Sequence, residues 1–458
     1  MPTVIIALLL AASAVLTGLT VATLPFDDTS GRFSPLLAST AALWALFALA
    51  LLLVRRVPGK RVASLVALGA VAIGGAAMFG PPNTSTDSAR YAWDGIVQNA
   101  GVSPYAYVPA DPALADLRTD WLFPAPATAA DGTPYCGGER IMTVRTDDGI
   151  LCTAINRATV PTIYPPASEL AFARVRLLVG PDAEYWPMQL FGLLLSLTVT
   201  AILLVALRRQ GRDPRWAAMW AWNPLVATEG VTNSHIDILG GLLLLVATVL
   251  VVRGRSTIGG VALGVAIAVK LIPVIGAPAL LRRGSWKLVV GSVLIFALLY
   301  LPYVLSTGIG VLGYLPGYLT EEGYSSGSRF VLLSLVAPGF ASTVVAVAVI
   351  AVTAALVWWK ADDPFLGQLV MIGVTLLVVS PRYAWYALLL VPMIAMTGRW
   401  EWLAVPLALT ARLLIPSVPL SRVTLAIAIA VVVIVWFRRA GPGAARRVLR
   451  AVRHPLTT

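Results

Sequence analysis

Apolar runs of about 20 residues recur from one end of the chain to the other, separated by short basic connectors and interrupted by one long polar stretch, residues 81–185. A helix of about that length crosses hydrocarbon with its backbone polar groups satisfied internally. A membrane barrel would alternate polar and apolar positions, and these runs do not. The pattern predicts an all-α polytopic membrane protein. Spans near 3–24, 35–54 and 62–80 precede the polar region, and 186–207, 216–232 and 236–252 follow it. Segment 257–281 is too short for two full crossings, so it reads as two short helices broken around Lys270 and Pro273. A span over 286–304, a dip at 330–337, and spans at 339–359, 365–380, 384–398, 402–416 and 421–437 complete a bundle of about 12–14 helices.

The first apolar segment lacks the basic start of a signal peptide and reads as a retained span. Four regions result: N-terminal helices over 1–80, a polar catalytic loop over 81–185, a helical core over 186–437 and a basic tail over 438–458. Part of the loop, TIYPPASELAFARVRLLVG, suits a helix lying along a membrane surface.

Charge orients the bundle. Arg55, Arg56, Lys60 and Arg61, then Arg208, Arg209, Arg212 and Arg215, then Arg253 and Arg255, then Arg282, Arg283 and Lys287 all fall in short connectors, as cytoplasmic loops do. The polar loop is then extracytoplasmic, with the chain in a plasma membrane. The net charge of +12 is spread through these connectors and the tail, so it points to anionic lipid headgroups and not to nucleic acid. With 58% hydrophobic and 12% charged residues, a soluble globular protein is excluded. Cys136 and Cys152 both lie in the polar loop, where an oxidising compartment favours a disulfide over two free thiols. No metal motif accompanies them.

Residues 84–105, TSTDSARYAWDGIVQNAGVSPY, set Asp87, Arg90, Tyr91 and Asp94 at the membrane rim. On this topology Asp87, Asp94, His235, Asp237, Glu321, Glu322, Arg329 and Arg382 converge on the same face. Arg382 sits between two spans with almost no loop, Arg412 lies inside its apolar run, and Lys270 is deeper still. Ionisable groups so placed are costly and by default mark function.

The ordered series DSARYAWDGIVQNAGVSPYAYVPAD, INRATVPTIYPP, WNPLVATEGVTNSHIDIL and GVALGVAIAVKLIPV, echoed by SPRYAWY, resembles polyprenyl-phosphate-sugar-dependent mannosyltransferases of the C-type membrane glycosyltransferase superfamily. Many of those proteins carry two adjacent acids before the Arg-Tyr pair; here Thr86 precedes Asp87, which leaves Asp87 as the candidate. The resemblance implies transfer of mannose from a polyprenyl phosphate to a hydroxyl of a lipid- or glycan-linked acceptor; no cofactor is called for, and dependence on a divalent metal is left open. A phosphate leaves as a stable anion, so one carboxylate suffices as base, whereas glycoside hydrolysis needs a second as acid. Asp87 takes that role. Arg90, Tyr91, Asp94, Tyr164, His235 and Asp237 are candidates for acceptor and sugar contacts, and Lys270, Arg329, Arg382 and Arg412 for the donor phosphate.

Each has a plainer reading: Asp87 as a helix cap, Arg90 in an ion pair, Asp94 holding a turn before Gly95, Asp237 at a helix N-terminus, Lys270 snorkelling, and Glu321 and Glu322 in a solvated loop. Two other functions stay open, an arabinofuranosyltransferase of the same superfamily and a non-enzymatic flippase or transporter of lipid-linked sugars. Transporters keep their polar groups near the midplane, and here they gather at one face.

Overall fold

The computed structural model describes residues 2–24, 34–138, 140–147 and 149–441, with the side chains of 282–285 excepted. Three apolar helices open the chain and pack together: α1 (Pro2–Thr23), α2 (Pro35–Val54), whose first turn is capped by Ser34 Oγ accepting from Leu37 N–H at 3.2 Å, and α3 (Gly59–Ala76). The polar region then folds as α4 (Asp87–Asn99), the hairpins β1 (Ala127–Thr128) with β2 (Pro134–Tyr135) and β3 (Met142–Thr146) with β4 (Gly149–Thr153), and α5 (Pro166–Val179). Both hairpins are antiparallel; Thr143 faces Cys152, which is disulfide-bonded to Cys136. Trp93 and Ile96 of α4 join Leu122, Phe123 and Ile155 in a small core of their own. Gly95 lies inside α4 and not in a turn after Asp94. A Cβ there would come within 2.6 Å of the Phe172 carbonyl oxygen, so the missing side chain lets α5 pack close.

The rest of the chain forms α6 (Trp186–Arg209), α7 (Ala218–Ala221), a π-helical turn (Val226–Thr232), α8 (Asp237–Val252), α9 (Ser256–Val269), α10 (Pro278–Thr307), α11 (Leu315–Glu321), α12 (Phe340–Lys360), α13 (Pro364–Val379), α14 (Val391–Thr397), α15 (Ala404–Leu414) and α16 (Val418–Ala440). Helices α9 and α10 pack through small residues, as membrane helices do. Cβ atoms added at Gly260 and Gly264 would lie 2.2 and 2.3 Å from the carbonyl oxygens of Leu288 and Ser292.

Among the described residues, seven helices are long and apolar enough to cross a membrane, or eight if the broken pair Val226–Thr232 and Asp237–Val252 counts as one span. The protein is thus an all-α polytopic membrane protein. The expected figure of about 12–14 also counted segments that form shorter apolar helices, Ser256–Val269, Pro364–Val379 and Ala384–Thr397. At about 1.5 Å per residue these fall short of a hydrocarbon core about 30 Å thick.

Two segments correct the expectation. Residues 216–232 do not form a continuous span: Pro224 offers no N–H, Asn223 Oδ1 accepts from Leu225 N–H at 3.0 Å, and the π-helical turn meets α8 at 111°. The break at Lys270 is present, with Lys270 extended and Pro273 in a 3-10 turn. Beyond that break the chain does not form a second short helix. Pro278 starts the 30-residue α10, which runs through the expected connector at Arg282 and Arg283 and takes in the span expected at 286–304. Arg and Lys are good helix formers, so a basic cluster does not by itself end a helix. The expected dip at 330–337 is reduced to one 3-10 turn, Leu333–Leu335. Of the basic tail, residues 442–458 lie outside the described residues.

The helix ends sort into two poles. At one, Arg212 pairs with Asp363 at 2.8 Å, Arg215 donates to the Val54 carbonyl at 3.2 Å and Arg439 pairs with Glu401 at 3.0 Å. At the other, Gln189 Nε2 donates to the Gly80 carbonyl at 2.8 Å, which ties the end of α3 to the start of α6 beneath the polar region.

Candidate active site

Asp87 is the first residue of α4, and its N–H donates to Ser85 Oγ at 3.1 Å. Its side chain is 16% exposed at the edge of the polar region. Asn156 Nδ2 donates to Oδ1 at 2.6 Å, and His235 Nδ1 lies 3.5 Å from Oδ2. His235 reaches that position because the backbone before it is not α-helical. The wide turn of Val226–Thr232 ends at Ser234, which is left-handed at φ 56°, and the His235 N–H then donates back to the Glu229 carbonyl at 2.9 Å. Asn233 Oδ1 accepts from the N–H groups of Asn83 and Thr84, both at 2.9 Å, and so fixes this break against the segment leading into α4. The buried imidazole stacks on Trp385 at 3.7 Å, with Nε2 3.3 Å from Glu229 Oε2. Thr84 Oγ1 donates to Glu229 Oε1 at 2.9 Å.

Asp237 opens α8 and accepts from Lys270 Nζ at 2.6 Å; the ammonium also lies 4.8 Å from the Tyr386 ring centroid. The Tyr386 and Tyr318 hydroxyls are 2.8 Å apart. Arg157 pairs with Glu321 at 2.5 Å, and Arg329 is ion-paired with Glu322. Glu322 is buried, so it is not part of a solvated loop. Exposed Arg382 attracts Glu321, and Arg329 and Arg382 both repel the guanidinium of half-buried Arg412. The buried Nε of Arg412 has no hydrogen-bond partner among the described residues.

Behind Asp87 the remaining candidates form the wall of α4 and α5. Arg90 Nε donates to both oxygens of Asp94 at 2.8 and 3.0 Å, and Tyr91 stacks on Phe172 at 4.4 Å with Tyr164 edge-on at 4.9 Å. Thr162 Oγ1 donates to the buried Glu169 at 2.8 Å. Burial and the nearby Asp94 push the Glu169 carboxyl well above the usual carboxylate range.

Asp87, His235, Asp237 and Lys270 therefore come together, while Arg329, Arg382 and Arg412 form a cationic cluster near them, joined through Tyr386 and Tyr318. Asn156, Glu229 and Thr84 were not anticipated. Asn156 and Glu229 both lie inside the motifs INRATVPTIYPP and WNPLVATEGVTNSHIDIL, and an acid within an apolar run was signal enough for Glu229. A cleft of about 190 Å³ at the opposite pole, lined by Arg212, Trp216, Asp363, Leu366, Thr397 and Arg399, offers no comparable set, since Asp363 is paired with Arg212.

Residues 162–381 match the model of a known family, Glycosyltransferase family 87. Over 130 residues the chain is 32% identical to a GPI mannosyltransferase 1 of Gibberella zeae, a match covering 26% of this chain and 25% of that protein. The chain thus spans about a quarter of the length of the curated relative it matches. No solved structure matches. The family match covers Glu229, His235, Asp237, Lys270 and Arg329 and stops short of Asp87, Arg382 and Arg412. Together with the fold, these likenesses support a membrane glycosyltransferase.

Proposed function

We propose that this protein transfers a sugar, mannose by preference, from a polyprenyl-phosphate donor to a hydroxyl of a lipid- or glycan-linked acceptor at the extracytoplasmic face of a plasma membrane. The observation that carries the reading is the partly exposed carboxylate of Asp87, bonded to Asn156 and beside His235, with Asp237 and its partner Lys270 near it. The acceptor oxygen attacks the anomeric carbon, the bond from that carbon to the phosphate oxygen breaks, and Asp87 takes the hydroxyl proton. The electron pair of the broken bond leaves with the prenyl phosphate. Such base catalysis contributes about 100- to 10,000-fold. Arg382 and Arg412 hold the phosphate oxygens, and Lys270 and Arg329, each already paired with a carboxylate, add positive charge around them.

Asp237 lies toward the sugar end, His235 is enclosed behind Asp87 and orients it rather than touching sugar, and Arg90, Tyr91, Asp94 and Tyr164, all buried, set the position of α4 and the acceptor wall. The basic connectors at the opposite pole support a cytoplasmic placement there, and the Cys136–Cys152 disulfide supports an oxidising compartment for the polar region. The test incubates purified protein in lipid nanodiscs with synthetic polyprenyl phosphomannose, its arabinofuranosyl counterpart and a glycolipid acceptor extract. A new mannosylated product supports the reading. A product from the arabinosyl donor alone corrects the sugar, and no product from either donor rejects the proposal.

A further inference from the structure

Three groups lie next to one another at the proposed site: Asp87 Oδ2 lies 3.5 Å from His235 Nδ1, and His235 Nε2 lies 3.3 Å from Glu229 Oε2. The His235 and Glu229 side chains are 0% and 3% exposed. Neither ring nitrogen has a hydrogen-bond partner among the described residues.

A neutral imidazole carries one hydrogen on its two nitrogens, and an ionised carboxylate only accepts. Two carboxylates facing the two nitrogens therefore need a second hydrogen, on the ring or on one of the acids. Placing it on the ring puts three full charges in the row; placing it on a carboxyl leaves one. Burying charge away from water is costly, so the second arrangement is the stable one.

The surroundings decide which acid carries it. Asp87 is the more exposed of the two, and Asn156 donates to its Oδ1. Glu229 is enclosed. It faces Asp87 from α4 and Asp237 from α8, both of which oppose a further negative charge, and the hydroxyls of Thr84 and Thr228. Lys270, the cation that faces His235, is paired with Asp237. Thr84 Oγ1 lies 2.9 and 3.1 Å from the two Glu229 oxygens, and Oε2 is the one that faces the imidazole.

We propose that Glu229 is protonated and donates to His235 Nε2, which fixes the imidazole as the neutral Nδ1–H tautomer whose hydrogen pins Asp87 Oδ2. Glu229 and His235 are then positioning residues. With Asn156 on one oxygen and His235 on the other, Asp87 is held in place with its remaining lone pairs turned to the acceptor. The consequence for catalysis rests on Asp87 being the base; the tautomer does not.

The chain has two histidines, His235 and His454, so a His454→Gln protein labelled with 15N-histidine carries a single imidazole. In nanodiscs its nitrogen shifts report tautomer and charge directly, whether or not any transfer is detected. The expected spectrum is neutral, protonated at Nδ1, and unchanged between about pH 5 and 8. Glu229→Ala mixes the tautomers and lowers kcat by about 100-fold with KM little changed. Glu229→Gln, whose amide still donates to Nε2, restores the Nδ1–H tautomer and most of that loss. A cationic ring, an Nε2–H tautomer, or a Glu229→Gln spectrum matching Glu229→Ala would overturn the proposal. If Asp87 proves not to be the base while His235 shows the expected spectrum, the functional reading fails and the tautomer assignment stands.

Discussion

Lys270 Nζ lies 2.6 Å from Asp237 Oδ2, joining the extended residue that ends α9 to the first turn of α8. Both elements stop there for backbone reasons, Pro273 beyond the first and Ser234 before the second. A pair with side chains 18% and 6% exposed has little water to replace a lost partner. Removing one member of such a pair costs about 3–5 kcal/mol. Lys270→Met is therefore expected to lower the thermal midpoint in nanodiscs, and the double variant with Asp237→Asn to recover most of it. A midpoint unchanged in Lys270→Met would show that the pair does not hold the break together.

Arg412 behaves differently. Its Nε has no partner among the described residues, and Arg329 and Arg382 both repel it, so Arg412→Gln is expected to leave stability unchanged or raise it slightly. Binding of polyprenyl phosphate, by contrast, should weaken by about 10- to 100-fold, since a charge-assisted contact of about 1.5–3 kcal/mol is lost. The shift in thermal midpoint on adding polyprenyl phosphate measures both effects. An equal ligand-induced shift in wild type and variant would remove Arg412 from the phosphate site.

Glu169 supplies a pH signature of the polar region. Its carboxyl titrates well above the usual range because it is buried beside Asp94, so the fold binds that proton more tightly than the unfolded chain does. The stability it brings is complete below the ordinary carboxylate range and is lost as pH rises through the raised value. Glu169→Gln should melt at a midpoint that varies less with pH on the alkaline side than the wild type does. Parallel curves for the two proteins would contradict the assignment.

The Cys136–Cys152 bond closes a loop whose ends are 16 residues apart and anchors β4. A loop of about that length gains about 3 kcal/mol from closure. Replacing both cysteines with serine should make residues 127–153 sensitive to limited proteolysis while the apolar bundle stays intact. Digestion at the same rate as the wild type would mean the hairpins hold without the bridge.

The helical membrane class, the place of Asp87 in a polar segment just after the third apolar helix, the helix start after His235 and the break at Lys270 were all legible, because each depends on apolar run length or on a local breaker. The link from His235 to Glu229 was not, since it depends on a π-helical turn and on Ser234 adopting a left-handed conformation that a serine seldom takes. The continuous α10 escaped for a related reason: Arg282, Arg283 and Lys287 marked a connector by charge, yet nothing in them breaks a helix. Glu322 looked solvated because its neighbours are polar, and only the folded chain brings Arg329 back onto it.

The central claim is that Asp87 removes the acceptor proton. Initial rates of transfer from polyprenyl phosphomannose by wild type and Asp87→Asn, with donor binding measured on the same samples, test it most directly. The account predicts a fall in kcat of at least about 100-fold with donor affinity nearly unchanged. Equal rates in the two proteins would contradict it.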